Sequence, residues 1–544
     1  MTTTAPASTP SVPAPLASGG RVPRAPRSLV AAGAIVAGLF AGPLLYLAIR
    51  TVGFGSGALD VLASDDAAGP LLRTLLLAAS VSAACAVLGT SLAWLVVRTD
   101  LPGRRVLRVL LVLPLVIPSF VGAFALQAAF ARGGLVDRLL DFGVPPRIEG
   151  FWAAFGVLTL LSYPYVYLPV AARLAVLPPA LEETARSLGR TPAEVFRTVV
   201  LPQTTGAVAA GSLLTFLYCV SEFGAVSLVR YDTLTLRIEA TRLFDRETSI
   251  TLSLLLAVVA LAVVLAERAL ARRRAPIEAV GAGRRAHQAF LGRWRVPTLC
   301  GVGMVLMVAL VAPVAVLAEW AARGDGTRFG GTGDAADLLE PVLNTVGVST
   351  VTALVATFCV LPLAYLTVRH RSRVGGVVNM LVVGGFALPG LVIALALVFW
   401  VLGTPVVSAL YQSFPLLVFA YVVHFGAQAM RASQVAVSGL PRRVEDAARA
   451  LGAGRWRRLR TIELPLIAPG LAAGAGLVLL ATMKELPATL LLAPTGFETL
   501  ATRIWSASES GLLARAGLTA LVLVALSALL TWLVTIRRMD RLDR

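Results

Sequence analysis

Long apolar runs alternate with short polar connections along nearly the whole chain. Crossing a hydrocarbon core of about 30 Å takes about 20 mostly apolar residues in an α-helix. The pattern predicts twelve spanning helices, at residues 29–49, 71–97, 106–130, 151–176, 204–224, 248–269, 296–319, 342–368, 375–402, 411–430, 467–490 and 511–536. Pro114, Pro118 and Pro389 lie inside the third and ninth runs, so these two helices are predicted to be kinked or broken within the membrane.

The second half of the chain repeats the pattern of the first. The run at 71–97 aligns with the run at 342–368 at a spacing of 271 residues, and from Glu182 onward the spacing is 263 residues. Both copies run in the same direction and each contributes six spans. The sequence therefore predicts an all-α polytopic membrane protein of two parallel six-helix repeats.

The predicted organisation follows from this repeat and from local composition. We expect a disordered cytoplasmic tail at 1–28, a first transmembrane domain at 29–269, a basic cytoplasmic linker at 270–295, a second transmembrane domain at 296–536 and a cytoplasmic tail at 537–544.

Composition and charge agree with a membrane protein. Of the 544 residues 57% are hydrophobic and 14% are charged, and the mean hydropathy is +0.80, outside the range of ordinary soluble domains. The formal net charge is +18. Its arginines gather in the tails, the linker and the loops at 98–105 and 369–373, all on one side if the N-terminus is cytoplasmic. The charge thus acts as an insertion signal, and nucleic acid is not an expected partner.

The chain offers no set of residues for catalysis or metal binding. The four cysteines lie in or at the end of predicted spans, and the three histidines do not cluster. A phosphate-binding P-loop needs a Gly-Lys-Ser/Thr sequence, and the sole lysine, Lys484, follows Met483. We therefore expect a membrane protein that is not an enzyme, with no catalytic or metal-ligating residues and no cofactor bound by this chain.

Two charged segments, residues 177–203 and 440–466, occupy the same place between the fourth and fifth spans of each half. Leu181, Ala185 and Leu188 form one apolar stripe on a short predicted helix. Gly189 and Gly452 follow where a helix C-cap takes a left-handed conformation that glycine adopts without strain. Each segment predicts a short amphipathic helix, a glycine turn and a second helix.

The first segment also carries a capping box, formed by Thr191 and Glu194 around a proline at the first helical position, which the second segment lacks. One copy of such a helix is as consistent with a helix resting on lipid headgroups as with a docking element. Two copies in register favour docking onto a two-fold partner.

The pattern acid-x-Ala-x-x-x-Gly, nine residues and then apolar-x-Leu-Pro resembles the EAA loop of ABC importer permeases of the type I, MetI-like class. The first copy has Thr184 in place of the middle alanine, and the second has aspartate as its acid. In that family the loop is a coupling helix that sits in a cleft on the ATPase subunit. The resemblance assigns ATPase coupling to Glu183, Ala185, Gly189, Leu201 and Pro202, and to Asp446, Ala448, Gly452, Leu464 and Pro465.

This resemblance also implies the partners and the location of the chain. They are two copies of an ABC ATPase subunit, which uses ATP and Mg²⁺, an extracytoplasmic substrate-binding protein and the lipid bilayer. The chain is then a multi-pass protein of the bacterial inner or plasma membrane, with both termini in the cytoplasm.

The substrate is indicated by two further segments. The sequences that begin at Ser221 and at Lys484 resemble those after the fifth and eleventh spans of fused ferric-iron permeases. Relatives that carry thiamine, phosphonates, sulfate or polyamines share the architecture and remain alternatives. A different class, the ion-coupled secondary transporters, also contains twelve-span chains in two halves.

Glu222, Lys484 and Glu485 lie near the ends of predicted spans, where a charge in hydrocarbon costs about 2.5 to 3.5 kcal/mol. One hypothesis places Glu222 and Glu485 near the two-fold axis, where they line or gate the outer pathway. The other is that they pair with neighbouring arginines or with Lys484 and hold the outer loops.

Overall fold

The computed structural model describes residues 26–533 except 141–143, 145, 273–288, 324–334, 371–372 and 386–387. Most of the predicted N-terminal tail, most of the basic linker and the tail at 537–544 lie outside the described residues. The first helix begins at Arg27, inside the tail predicted for 1–28.

The first half contains fourteen α-helices among its described residues. They are α1 Arg27–Gly53, α2 Ser56–Ala63, α3 Asp65–Arg98, α4 Arg104–Leu110, α5 Ser119–Phe130, α6 Leu135–Leu140, α7 Phe151–Ser162, α8 Pro164–Val176, α9 Pro179–Ser187, α10 Pro192–Val195, α11 Leu201–Ser221, α12 Gly224–Leu228, α13 Leu234–Thr241 and α14 Arg246–Arg272.

The second half contains twelve more among its described residues. They are α15 Arg295–Leu306, α16 Ala312–Arg323, α17 Leu339–Arg369, α18 Arg373–Gly384, α19 Gly390–Leu402, α20 Phe414–Ser438, α21 Arg442–Ala450, α22 Arg455–Arg458, α23 Leu464–Met483, α24 Pro487–Leu492, α25 Leu500–Glu509 and α26 Leu513–Thr531. Short 3₁₀ or π segments join several of these helices. The all-α class predicted from the sequence is confirmed for the described residues.

Ten helical stretches in the described part of the chain are long and apolar enough to cross a membrane. The two remaining predicted spans take other forms. The ninth is divided into α18 and α19, and the latter is a shorter apolar helix. The tenth, predicted at 411–430, is α20, which extends to Ser438 and carries the polar residues His424, Gln428 and Arg431.

The third predicted span is broken, as its prolines indicated. Helix α4 ends at Leu110, a 3₁₀ turn covers Leu113–Val116, and α5 begins after Pro118. In the second half α19 begins directly after Pro389. Because each break leaves a helix N-terminus within the chain's apolar region, the freed backbone groups require other partners.

The two halves are packed together through their first helices. Helix α1 of the first half packs against α17, α18 and α19 of the second, and Gly426 of α20 lies against the Phe40 ring of α1. Helix α16 of the second half packs against α5 of the first, where the Trp320 indole N–H donates to the Ala128 carbonyl at 3.0 Å. Each half therefore stabilises the other.

Helices α3, α8 and α11 form a closely packed group within the first half. A Cβ added at Gly89 of α3 would lie 2.9 Å from the Tyr163 carbonyl oxygen, and one added at Gly211 of α11 would lie 2.6 Å from the Val166 Cα. Both glycines thus allow their helices to approach the backbone at the start of α8.

We expect Gly211→Ala to destabilise the protein by about 1–3 kcal/mol, because overpacking against backbone atoms cannot be relieved by a side-chain rotation. Gly206→Ala is the matched control, since it lies in the same helix with nothing within 4 Å of an added Cβ. The measurement is the Tm of the two purified variants in one detergent. A Tm for Gly211→Ala equal to that of Gly206→Ala would contradict the close packing.

Candidate functional site

The two charged segments adopt the same local structure at the same positions in each half. Helix α9 (Pro179–Ser187) corresponds to α21 (Arg442–Ala450), and α10 (Pro192–Val195) corresponds to α22 (Arg455–Arg458). A π-helical turn follows in both, at Phe196–Val200 and Leu459–Glu463. Every one of these bounds repeats at the 263-residue spacing. We call the end of the molecule that carries these segments the basic end.

The predicted glycine turn is confirmed in both copies. Gly189 has a φ of 81° and Gly452 a φ of 76°, in the left-handed region. The Gly189 N–H donates to the Arg186 carbonyl and the Gly452 N–H to the Arg449 carbonyl, both at 2.9 Å. A side chain at either position would therefore strain the turn between the two helices.

The capping box predicted for the first segment is also present. The Thr191 N–H donates to the Glu194 carboxylate at 2.7 Å, and the Glu194 N–H donates to the Thr191 hydroxyl at 3.4 Å. The hydrogen bonds from the Thr191 backbone and side chain stabilise the carboxylate and lower the pKa of Glu194. The box orients α10 as the chain leaves the turn.

The residues assigned to ATPase coupling divide by exposure. Ala185 and Ala448 are buried, whereas Glu183 and Asp446 are exposed. Leu201, Pro202, Leu464 and Pro465 are exposed as well. The predicted apolar stripe does not lie on one buried face, because Leu188 is 74% exposed and its counterpart Leu451 is 88% exposed. Each short helix thus presents an acid and a leucine outward.

Four residues that the sequence analysis did not assign to this site hold both helices in place. The Arg98 guanidinium and the Glu182 carboxylate lie 2.9 Å apart with both side chains buried, and Arg369 and Glu445 lie 2.9 Å apart in the second half. The acid next in sequence, Glu183 or Asp446, points to solvent instead. Sequence reasoning treated both arginines as topology signals, although they match at the repeat spacing as the two glutamates do.

Each arginine also donates a hydrogen bond to the backbone between the fourth span of its half and the short helix. The Arg98 side chain donates to the Leu177 carbonyl at 3.3 Å, and the Arg369 side chain donates to the Leu440 carbonyl at 2.7 Å. Three chain segments therefore meet at each guanidinium. They are the end of the second span of that half, the end of its fourth span and the start of its short helix.

The surroundings of the two ion pairs differ. In the first half the end of the linker packs beside the pair, with the Ala289 N–H donating to the Arg98 carbonyl at 2.8 Å. A cavity of about 350 Å³ lies there between Trp94, Phe196 and Phe290. In the second half Glu463 pairs with Arg458 and accepts a hydrogen bond from the Tyr365 hydroxyl at 2.9 Å.

The second set of predicted residues lies at the ends of α11 and α23. The Glu222 carboxylate accepts from the Ser119 hydroxyl at 2.8 Å and from the Ala225 N–H at 2.9 Å. The Glu485 carboxylate accepts from the Ala488 N–H at 3.2 Å. Both glutamates therefore cap the short helices that follow, α12 and α24, in the manner of acidic N-terminal residues.

Lys484 does not pair with either glutamate. Its ammonium donates to the Leu115 carbonyl at 3.0 Å, in the break of the third span. Among the described residues neither Glu222 nor Glu485 has an arginine or lysine within ion-pair distance, and the His424 imidazole Nε2 lies 3.9 Å from the Glu485 carboxylate. The alternative of arginine pairing for these two carboxylates is therefore wrong for the described residues, and the structural role that the geometry shows is helix capping.

The two capped segments meet between the halves. The rings of Phe223 and Trp505 lie 5.7 Å apart, and a Cβ at Gly224 would lie 2.8 Å from the Phe120 Cβ and 3.4 Å from the Leu486 Cδ2. No group of three or more potential metal ligands is present in the part of the chain that the structure describes. The start of α12 thus packs against apolar side chains of α5, of α25 and of the residue before α24.

Comparisons with known proteins agree with this arrangement. The family described as the binding-protein-dependent transport system inner membrane component matches twice, at residues 86–275 and 360–542. The Fe(3+)-transport system permease protein FbpB 2 of Haemophilus influenzae is 31% identical over 500 residues, covering 90% of this chain and 94% of that protein.

Two further relatives match part of the chain. The molybdenum transport system permease protein ModB of Mycobacterium bovis is 34% identical over 229 residues, covering 41% of this chain and 86% of that protein. The sulfate transport system permease protein CysT of Salmonella typhimurium is 33% identical over 172 residues, covering 31% of this chain and 61% of that protein.

We expect Glu222→Ala to lower the Tm in detergent more than Glu222→Gln, because alanine leaves the Ser119 hydroxyl and the Ala225 N–H without their acceptor. An unpaired buried donor costs about 1–3 kcal/mol, and glutamine retains a carbonyl oxygen. The same two changes at Glu485 provide a matched comparison.

Equal Tm values for the alanine and glutamine variants would contradict the capping role. Loss of substrate uptake in the double variant Glu222→Ala, Glu485→Ala, with unchanged Tm and membrane level, would instead assign the carboxylates to the pathway.

Proposed function

The chain belongs to the family of binding-protein-dependent transport system inner membrane components, and from this premise we propose that it imports ferric iron by alternating access. It is a multi-pass ABC importer permease, so the alternative of an ion-coupled secondary transporter is not retained. The finer points, namely the substrate, the number of motor subunits and the residues that contact them, form our proposal.

Ferric iron is favoured by the extent of the similarity. The ferric-iron permease relative aligns with 90% of this chain, and so includes both halves and the linker between them. The molybdenum and sulfate permeases align with 41% and 31% of this chain, which in each case is less than half of its length. Thiamine, phosphonate and polyamine remain alternatives on architecture alone. The similarity to a ferric-iron permease over nearly the whole chain is the observation that carries the choice of iron.

The energy for transport comes from separate ATPase subunits in this proposal, since the chain has no P-loop sequence. Two copies dock at the basic end, one at each short helix, and they alone use ATP and Mg²⁺. Leu188 and Leu451 are the proposed apolar contacts, because both are exposed at the same position in the two halves, directly before the glycine turns. Glu183 and Asp446 lie beside them and contact the motor through their carboxylates.

The opposite end receives the substrate from an extracytoplasmic binding protein. We propose that the apolar contact of Phe223 with Trp505 closes the outer pathway in this state, with Glu222 and Glu485 bordering it and holding α12 and α24. Closure of the motor subunits separates these segments. Iron then needs only a transient path, because its selective capture belongs to the binding protein.

A strain that lacks this chain is expected to lose accumulation of ⁵⁵Fe supplied as a ferric salt under iron limitation, and to regain it on complementation. An excess of molybdate or sulfate is expected to leave the uptake unchanged. Uptake of labelled molybdate or sulfate that depends on the chain, with iron uptake unaffected, would overturn the assignment of iron.

We expect Gly189→Val and Gly452→Val to abolish co-purification of the ATPase, because a β-branched residue at a left-handed φ costs about 1–2 kcal/mol and distorts the turn beside the docking surface. Gly454→Val is the matched control. It lies two residues from Gly452, has no left-handed φ and meets nothing within 4 Å. Retention of the ATPase by both turn variants would contradict docking at these helices.

A further inference from the structure

We propose that Arg98–Glu182 and Arg369–Glu445 are positioning pairs that make each motor-docking helix move as one body with the spanning helices behind it. The proposal rests on the proposed function, since it concerns the transfer of motion from the docked ATPase. It assigns a role to four residues outside the resemblance to the EAA loop.

The first observation is the duplication of the geometry. Both ion pairs have the same 2.9 Å separation, and both arginines also donate a hydrogen bond to a backbone carbonyl just after the fourth span of their half. The two arginines lie 271 residues apart in the sequence, and the two glutamates lie 263 residues apart. The contact is therefore kept in both halves although the chain between arginine and glutamate is eight residues shorter in the second half. The contact is thus a property of the fold of each half.

The second observation is burial. The side chains of Arg98 and Glu182 are 2% and 8% exposed, and those of Arg369 and Glu445 are 11% and 12% exposed. Buried ion pairs add little net stability over apolar residues of the same volume, but loss of one partner leaves an uncompensated charge. A pair in this setting is best explained by the geometry that it imposes. By contrast, the pair of Arg449 with Asp446, 57% and 67% exposed, is solvated and constrains little.

The third observation is the position of each pair on its short helix. A force at Leu188 acts at the C-terminal end of α9, and a helix of nine residues, about 13.5 Å long, carries it to the N-terminal end. The C-terminal end continues through the glycine turn into α11. The N-terminal end is held by Glu182 to Arg98 at the end of α3. With both ends attached to packed spans, displacement of α9 displaces α3, α8 and α11 together.

The direct test measures this rigidity. A spin label at Ser187, exposed on α9, and a second at Leu76, exposed on α3, report the distance between the two helices. Cys300 and Cys359 are replaced by serine for this purpose. The protein is reconstituted with its ATPase, and the distance is compared without nucleotide and with trapped ATP.

We expect one unchanged distance in the parent protein and a nucleotide-dependent shift in Glu182→Gln. The charge-exchanged variant Arg98→Glu, Glu182→Arg is expected to return to the unchanged distance. A shift in the parent protein, or no shift in Glu182→Gln, would overturn the proposal, because the pair would then not fix the helix.

The functional readout is the amount of ⁵⁵Fe transported from the loaded binding protein per ATP hydrolysed. A tenfold loss of this ratio corresponds to about 1.4 kcal/mol of coupling, and we expect a loss of at least about that size in Glu182→Gln and Glu445→Gln. Co-purified ATPase and basal ATP hydrolysis are expected to stay at the parent level. A purely structural role would lower uptake and hydrolysis in proportion to the protein level and leave the ratio unchanged, which would count against the proposal.

Arg242→Gln is the matched control, because it breaks the pair with Glu239 at the opposite end of the spans. It is expected to keep the parent ratio. Failure of the proposed function is visible separately, since the parent protein would then co-purify no ATPase or transport no iron. The spin-label distances test the pairs whichever substrate is transported.

Discussion

Inside a bilayer every backbone N–H and C=O must find its partner within the protein, and the architecture of this chain follows from that constraint. This constraint favours unbroken helices, and most of the described residues lie in helices. Where prolines interrupt the third span, a lysine side chain supplies a donor to the freed Leu115 carbonyl. Where the fifth and eleventh spans end, Glu222 and Glu485 accept from the N–H groups of the next short helices. These three charged side chains thus bond to backbone groups that the interrupted or ending helices leave without a partner.

Duplication of one unit accounts for the remaining organisation, but the two copies are not independent. The first helix of each half packs against the other half, so separation of the halves would expose apolar surface on both. The copies also differ locally. The linker supports the ion pair of the first half, whereas Glu463 and its partners surround the second. The two short helices α9 and α21 therefore have the same backbone conformation and different environments.

Sequence patterns predicted what depends on local rules. The spacing of apolar residues predicted the spans, the prolines predicted the breaks, and Gly189 and Gly452 predicted the turns. Each of these features depends only on residues within a few positions along the chain. The partners of Glu182 and Glu445 could not be predicted in this way. Adjacent helical residues point about 100° apart, so the sequence alone does not show that Glu182 faces inward and Glu183 outward. Arg98 is 84 residues from Glu182, and only the packed helices bring the two together.

The paired π-helical turns that follow α10 and α22 affect how the short helices are oriented relative to the spans. A π turn holds one residue more than the α-helix it interrupts, which offsets the rotational phase of the helix on either side by about 100°. Both halves carry this offset at the same position, Phe196–Val200 and Leu459–Glu463. Because the offset lies at matching positions, it is a property of the repeated unit and not of one half alone. Deletion of one residue in either turn would remove the offset and rotate the preceding short helices by about 100° relative to the span that follows.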